Sequence, residues 1–184
     1  MSKSELLRFS FVKSIPILCS YLFIGMAYGI LMHEAGFPWF TVALTSITVY
    51  TGAFQFVLTT LMASGASLIT IAVTAFFMNS RQTFYSLTFL DDISRTGKRK
   101  LFMIHSLTDE TYAVNCTLDL LPEEKREVMF RVAAFSHVYW ITGSVLGALC
   151  LLIFGEGQFM LPALLLVSAA LVYDNSRSGK AVEK

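Results

Sequence analysis

Arg81 is the residue whose position most clearly predicts chemistry, because it lies inside the long apolar stretch 66–90. Arg81 is nine residues before Leu90, which is roughly 14 Å along a helix and near the middle of a ~30 Å hydrocarbon layer. A cation at that depth costs about 2.5–3.5 kcal/mol and normally faces a bundle interior or an aqueous cavity. Arginine binds carboxylates through two parallel hydrogen bonds. Arg81 therefore predicts a mid-depth polar site, where it pairs with an acid of the chain, binds a substrate carboxylate, or alternates between the two.

Two acids, Asp109 and Glu110, follow Thr108 in the polar segment SLTDET. A threonine followed by acids is typical of a helix start, where the threonine caps the first turn and the helix dipole favours negative charge. If that start is buried, Asp109 and Glu110 are the expected ion-pair partners of Arg81. The alternative is that they carry protons that couple transport to an ion gradient.

Small polar residues recur through the apolar stretch 40–62 at spacings of 4, 3, 4, 3 and 4, which places them on one face of a continuous helix. Such a face favours close helix packing, or it lines a pathway in which Gln55 hydrogen-bonds the substrate and the backbone breaks at Thr51–Gly52. These residues are Thr41, Thr45, Thr48, Gly52, Gln55 and Thr59. Combined with the polar surroundings of Arg81, the pattern predicts the substrate-binding set Arg81, Asn79, Gln55, Gly52 and Thr48.

No arrangement of residues typical of catalysis or metal binding is found in the sequence. His33, His105 and His137 do not have the spacing of metal ligands, and no serine, cysteine or histidine constellation suggests a hydrolase. We therefore expect a protein that is not an enzyme and that uses no metal and no cofactor.

The composition indicates a membrane protein, with 55% hydrophobic and 15% charged residues against roughly 45–50% and 25% in soluble domains. Five stretches have the character of membrane spans: 15–32, 40–62, 66–90, 132–154 and the short 159–173. The segment 101–121 has a helical pattern but is too polar to face lipid. We predict one all-α, polytopic membrane domain over residues 1–184, with a cytoplasmic segment 1–14 and a polar C-terminal tail 174–184.

Basic residues gather in four clusters, at 3–13, 95–100, 125–131 and 177–184. If all four are cytoplasmic, as the positive-inside rule predicts, an even number of crossings separates neighbouring clusters. Three apolar stretches lie between the first and second clusters, and one helical segment, 101–121, lies between the second and third; both numbers are odd. We therefore predict broken or re-entrant helices, with the loops 91–100 and 122–131 facing the cytoplasm; the alternative is that one basic loop is external. Two GxxxG motifs, Gly25–Gly29 and Gly143–Gly147, predict close helix contacts.

Several segments together resemble the AzlC-type branched-chain amino acid permeases. The segments are SITVYTGAFQF at 46–56, NSRQTFYSLTF at 79–89, RTGKRKL at 95–101, SLTDETYAV at 106–114 and, more loosely, VYWITGSVLG at 138–147. The resemblance implies the large subunit of an exporter of valine, leucine, isoleucine and possibly methionine in the bacterial cytoplasmic (inner) membrane. It also implies a small hydrophobic AzlD-like partner subunit.

The C-terminal region is expected to be shorter than is usual in that family, because only one short apolar run follows residue 154. This favours an alternative function as a non-transporting structural or assembly subunit of a membrane complex. A homo-oligomer is a further expectation for the assembly.

Overall fold

The computed structural model describes residues 1–154, and the regular structure in that part of the chain is entirely helical. The helices are α1 (Lys3–Glu34), α2 (Trp39–Thr48), α3 (Gly52–Ala63), α4 (Leu68–Thr88), α5 (Leu90–Ser94), α6 (Lys100–His105), α7 (Asp109–Cys116) and α8 (Pro122–Phe154), with a 3₁₀ turn at Gly97–Arg99. Both α1 and α8 are long and apolar enough to cross a membrane. The predicted all-α membrane bundle is confirmed; the predicted span 159–173 and the polar tail lie outside the described residues.

Helices α1 and α8 run side by side in the same direction and form the spine of the bundle. Near their middle, the hydroxyl groups of Ser14 and Tyr139 lie 3.0 Å apart. Farther along, a Cβ atom built on Gly29 would overlap the carbonyl oxygen of Ser144, and one built on Gly147 would overlap the backbone of Met26. The two GxxxG motifs are thus the two sides of one interface, in which glycine lets the backbones touch.

The apolar stretch 40–62 is not one continuous helix: α2 ends at Thr48 and α3 begins at Gly52, in agreement with the expected backbone break at Thr51–Gly52. Both α2 and α3 lie beside Tyr28, whose hydroxyl is 2.7 Å from Thr45 and whose ring centre is 5.8 Å from that of Phe56. Between them, Tyr50 approaches Tyr21, with ring centres 6.4 Å apart. Tyr21 is seven residues, or roughly 10 Å, before Tyr28 on α1. Helix α2 therefore runs from the level of Tyr28 toward that of Tyr21, the chain reverses at Tyr50, and α3 returns to the level of Tyr28. We call α2, α3 and their connection the first hairpin.

The polar segment 101–121 forms a second re-entrant element instead of one helix. Arg99 at its base lies 2.6 Å from Glu127 on α8, whereas Ser106 lies 3.3 Å from His137, ten residues farther along α8. Helix α6 therefore climbs along α8, and α7 returns toward Pro122, where α8 begins. Thr108 caps α7 and ends the helical continuity. We call α6, α7 and their connection the second hairpin.

Three of the basic clusters lie at the same end of the bundle. The Met1 ammonium contacts Glu124, Lys125 lies 2.7 Å from Asp92, and Arg99 contacts Glu127. The first hairpin enters from the opposite end and the second from this one, so neither adds a complete crossing. With both hairpins re-entrant, only α1 and α4 cross between the first and second clusters, and no helix crosses between the second and third. Both numbers of crossings are then even. That the shared end faces the cytoplasm stays a prediction.

Candidate functional site

The tips of the two hairpins meet α1, α4 and α8 at a cavity of about 280 Å³. This is just below the roughly 300–1,000 Å³ of pockets that hold drug-sized ligands, so the cavity suits a smaller molecule. Its lining combines residues of both tips with residues of the three long helices: Tyr21, Ile24, Tyr50, Thr51, Gly52, Ala53, Phe56, Arg81, Gln82, Thr108, Asp109, Glu110 and Trp140.

The tip of the second hairpin gives the cavity an acidic wall. The predicted ion pair of Arg81 is present: its Nη1 lies 2.5 Å from Oδ2 of Asp109, and the two side chains are 45% and 44% exposed. Glu110 instead accepts a hydrogen bond of 2.9 Å from the Tyr21 hydroxyl, which is also 2.7 Å from Thr108 Oγ1. The capping box formed by Thr108 starts α7 at this point, so both acids fall in its first turn and face the cavity.

The tip of the first hairpin gives the cavity a wall of hydrogen-bond donors. Helix α3 begins at Gly52, and Thr51 before it makes no side-chain cap, so the first N–H groups of α3 are left without a capping partner in the described residues. The Thr51 hydroxyl is buried and has no hydrogen-bond partner within residues 1–154. Trp140 packs over Gly52, where a built Cβ atom would lie 3.1 Å from the indole ring.

Tyr50 holds the first tip in its unusual shape. Its φ of 44° lies in the left-handed region, which non-glycine residues seldom adopt. The Tyr50 ring stacks on His137 of α8 with centres 3.8 Å apart and planes 15° apart. Tertiary packing of this kind is what sustains a sparsely populated backbone conformation, which functional sites often use.

Three residues predicted to bind substrate have other positions. Gln55 is fully buried and does not line the cavity, and its amide has no hydrogen-bond partner in the part of the chain that the structure describes. Thr48 is exposed and donates to the Leu44 carbonyl at 2.8 Å. Asn79 lines a separate groove on α4 with Phe76, Ser80, Thr83 and Phe84.

The physical reasons for these departures differ. The chain reversal at Tyr50 breaks the single face that the 4 and 3 spacing assumes, which separates Thr48 from Gly52. Asn79 is two residues from Arg81, and helix residues two apart do not face the same side. Gly52 and Arg81 of the predicted set line the cavity, as do Asp109 and Glu110.

Aromatic residues of the site were missed from the sequence. Tyr21 and Trp140 line the cavity, and their rings pack edge to face with centres 5.3 Å apart. Each has an apolar ring with one polar group, a combination that needs a hydrogen-bond partner when it is buried. That combination inside an apolar segment is the only signal that the sequence offered for them.

Comparison with known proteins adds the family to this geometry. The family model described as "AzlC protein" matches residues 16–154, which is more than half of the chain. The chain belongs to the AzlC family. Relatives described as membrane or transport proteins agree with a membrane location, and no solved structure matches the chain.

Three relatives show the range of similarity. The chain is 32% identical over 143 residues to the "Branched-chain amino acid transport protein AzlC" of Bacillus subtilis, which covers 77% of this chain and 56% of that protein. An "Uncharacterized membrane protein" of Helicobacter pylori is 37% identical over 144 residues, with 76% and 62% covered. The "Inner membrane protein YgaZ" of Escherichia coli is 33% identical over 140 residues, with 73% and 57% covered. The chain thus spans about three fifths of the length of these relatives, and its location in a bacterial membrane is confirmed.

Proposed function

We propose that this AzlC-family chain is the transport subunit that exports branched-chain amino acids across the bacterial inner membrane. The observation that carries the proposal is the cavity between the two hairpin tips, which combines an ion pair, a helix start and an apolar wall. An amino acid needs partners for an ammonium, a carboxylate and a side chain. The name of the Bacillus subtilis relative supports branched-chain amino acids as the substrate class.

The apolar wall accounts for the substrate side chain in this proposal. Ile24, Phe56 and the ring of Trp140 line the cavity beside its polar groups. A branched aliphatic side chain would gain about 25 cal/mol for each Å² of apolar surface that it buries there. A charged or amide side chain would lose its hydration without a matching partner, so the same wall disfavours polar amino acids.

Re-entrant hairpins suit transport because they can open and close access without moving the long helices. Transporter sites commonly lie at the bilayer midplane, where broken helices present their ends to the substrate. In this chain the first hairpin would gate the cavity from one side and the second hairpin from the other. Asp109 and Glu110, at the tip of the second hairpin, are then the proposed residues for coupling transport to proton movement.

A small AzlD-like membrane subunit is the proposed partner, and the outer face of α4 supports it. The rings of Phe76, Phe77 and Phe84 are 72%, 70% and 68% exposed, and none of the residues of α4 is buried. The groove that contains Asn79 and Thr83 interrupts this apolar face with groups that can hydrogen-bond another helix. A second copy of the chain is the alternative partner.

Export by a deletion strain tests the function. Loss of the gene should raise intracellular valine, leucine and isoleucine, and methionine if it is a substrate; restoring the gene with that of the partner should reverse the rise. Glu110→Gln should fail to restore export, whereas Thr48→Val, which lies outside the cavity, should succeed. Normal export by Glu110→Gln, together with loss of export when the whole chain is absent, would instead favour the alternative of a non-transporting assembly subunit.

A further inference from the structure

We propose that the cavity binds its amino acid in one fixed orientation, with the carboxylate at the tip of the first hairpin and the ammonium at the tip of the second. The carboxylate would accept hydrogen bonds from the Thr51 hydroxyl, the Trp140 indole N–H and the N–H groups at the start of α3. The ammonium would donate to Asp109 and Glu110. This inference rests on the proposed function and assigns the polar groups of the same site.

The donor wall is built from groups that lack partners. Thr51 and Trp140 are only 6% and 2% exposed, and neither Thr51 Oγ1 nor Trp140 Nε1 has a hydrogen-bond partner among residues 1–154. A buried polar group without a partner costs about 1–3 kcal/mol, which a ligand would recover. The indole nitrogen can only donate, so its ligand must be an acceptor.

The start of α3 adds positive potential to the same wall. Helix α3 is 12 residues long, its first turn contains no side-chain cap, and Gly52 and Ala53 of that turn line the cavity. A helix of this length presents about half a positive charge at its first turn, together with free N–H groups. A carboxylate at this position would accept from the helix start, and Thr51 and Trp140, which line the same cavity, offer two further donors.

The acidic wall has the opposite character. Asp109 uses Oδ2 for Arg81, while its other oxygen, Oδ1, is buried and has no partner in the described residues. The charges of Arg81 and Asp109 offset each other, so Glu110 leaves this wall with one net negative charge. An ammonium group, with three donors and one positive charge, matches that wall.

This orientation gives Arg81 a different function from the direct carboxylate contact that the sequence suggested. Arg81 already donates to Asp109 and lies on the wall that contains both acids. A substrate carboxylate placed beside Arg81 would also lie beside Glu110 and be repelled by it. Arg81 is therefore a positioning residue that holds Asp109 and neutralises it.

Competition binding by the purified chain, with its partner subunit, in lipid nanodiscs tests the orientation. Radiolabelled L-leucine is displaced by L-leucine, by 3-methylbutylamine, which keeps the ammonium and has no carbonyl group, and by 2-hydroxy-4-methylpentanoate, which keeps the carboxylate. Thr51→Val and Trp140→Phe should weaken L-leucine and the hydroxy acid roughly 10-fold or more, as expected for a lost hydrogen bond to a charged group, and leave 3-methylbutylamine within about twofold. Glu110→Gln should weaken L-leucine and 3-methylbutylamine and spare the hydroxy acid.

Two control variants distinguish the loss of one hydrogen bond from a general loss of binding. Thr51→Ser, which retains the hydroxyl, should recover most of the affinity for L-leucine and for the hydroxy acid that Thr51→Val loses. Thr48→Val, which lies outside the cavity, should bind all three ligands as the wild type does. The reverse pattern, or equal losses for all three ligands in a variant that elutes as a single folded species, would overturn the orientation alone. Wild-type protein that binds no branched-chain amino acid would overturn the proposed function as well.

Discussion

Arg81 and Asp109 are 28 residues apart in the chain, yet Nη1 of the arginine lies 2.5 Å from Oδ2 of the aspartate. Their contact joins α4 to the tip of the second hairpin, at the depth where the first hairpin also ends. Each side chain is nearly half exposed at the cavity. The pair thus borders the space where the substrate is proposed to bind. A change in the charge of the pair would therefore alter its electrostatic interaction with the charged groups of the substrate.

The first prediction separates positioning from direct binding at Arg81. Arg81→Lys keeps the positive charge beside Asp109, so we expect it to retain most transport of leucine, even though lysine cannot form the two parallel hydrogen bonds of arginine. Arg81→Gln should lower transport at least 10-fold because it leaves two uncompensated acids. The transport activity is measured as the initial rate of leucine efflux from cells that contain equal membrane levels of each variant.

The double variant Arg81→Gln/Asp109→Asn is the matched control, because it restores the net charge of the acidic wall. We expect part of the lost transport to return. Folded yield should change little, since an ion pair this exposed contributes about 1 kcal/mol or less to stability. Loss of transport in Arg81→Lys equal to that in Arg81→Gln would instead support a direct contact between Arg81 and the substrate carboxylate.

The second prediction concerns the contact between α1 and α8. Gly29→Ala should destabilise the protein by about 1–3 kcal/mol, because the added methyl group overlaps the Ser144 carbonyl and must push two backbones apart. Gly25→Ala should cost less, since its Cβ atom would lie 3.1 Å from the Ser144 nitrogen. The fraction that stays monodisperse after heating in detergent measures both; equal stability of Gly29→Ala and the wild type would contradict this close contact.

The third prediction concerns which side of the membrane the basic end faces. Single cysteines at Ser94 and Glu123, both exposed, are introduced after Cys19, Cys116 and Cys150 are replaced. Neither should react with an impermeant reagent added to intact cells, because positive loops stay in the cytoplasm. A cysteine at Ser64, between α3 and α4 at the other end, should react and serves as the positive control. Labelling of Ser94 but not Glu123, or the reverse, would contradict the shared end.

The fourth prediction concerns the partner subunit. Co-expression with the small membrane subunit should raise the yield and thermal stability of the chain, because the partner would cover the exposed phenylalanines of α4. Replacement of Asn79 by leucine should reduce that gain by removing a hydrogen-bonding group from the groove, while Thr60→Leu, exposed on α3, should not. Equal stability with and without the partner, in a chain that elutes as a dimer, would favour the homo-oligomer.

The sequence by itself determined the class of protein and the charged groups of its site. The high apolar content, the place of Arg81 inside an apolar stretch and the acids after Thr108 can be recognised from composition and spacing. They predict a polar site because a bilayer penalises an unpaired charge at mid-depth. The odd numbers of segments between basic clusters likewise indicated broken or re-entrant elements, with an external basic loop as the alternative. These features depend on local composition and on spacing along the chain, so they can be recognised in the sequence.

The tertiary structure alone decided which residues meet at the cavity. The sequence predicted a backbone break at Thr51–Gly52 but not the direction that the chain takes after it. The reversal depends on Tyr50 stacking against His137, which is 87 positions away. The reversal separates Thr48 from Gly52, whereas Asn79 lies on a different side of α4 from Arg81. Tertiary packing also brings Tyr21 and Trp140 into the cavity lining. Local pattern reports the preference of a segment for helix, but packing between distant segments determines where that helix breaks and what its end faces.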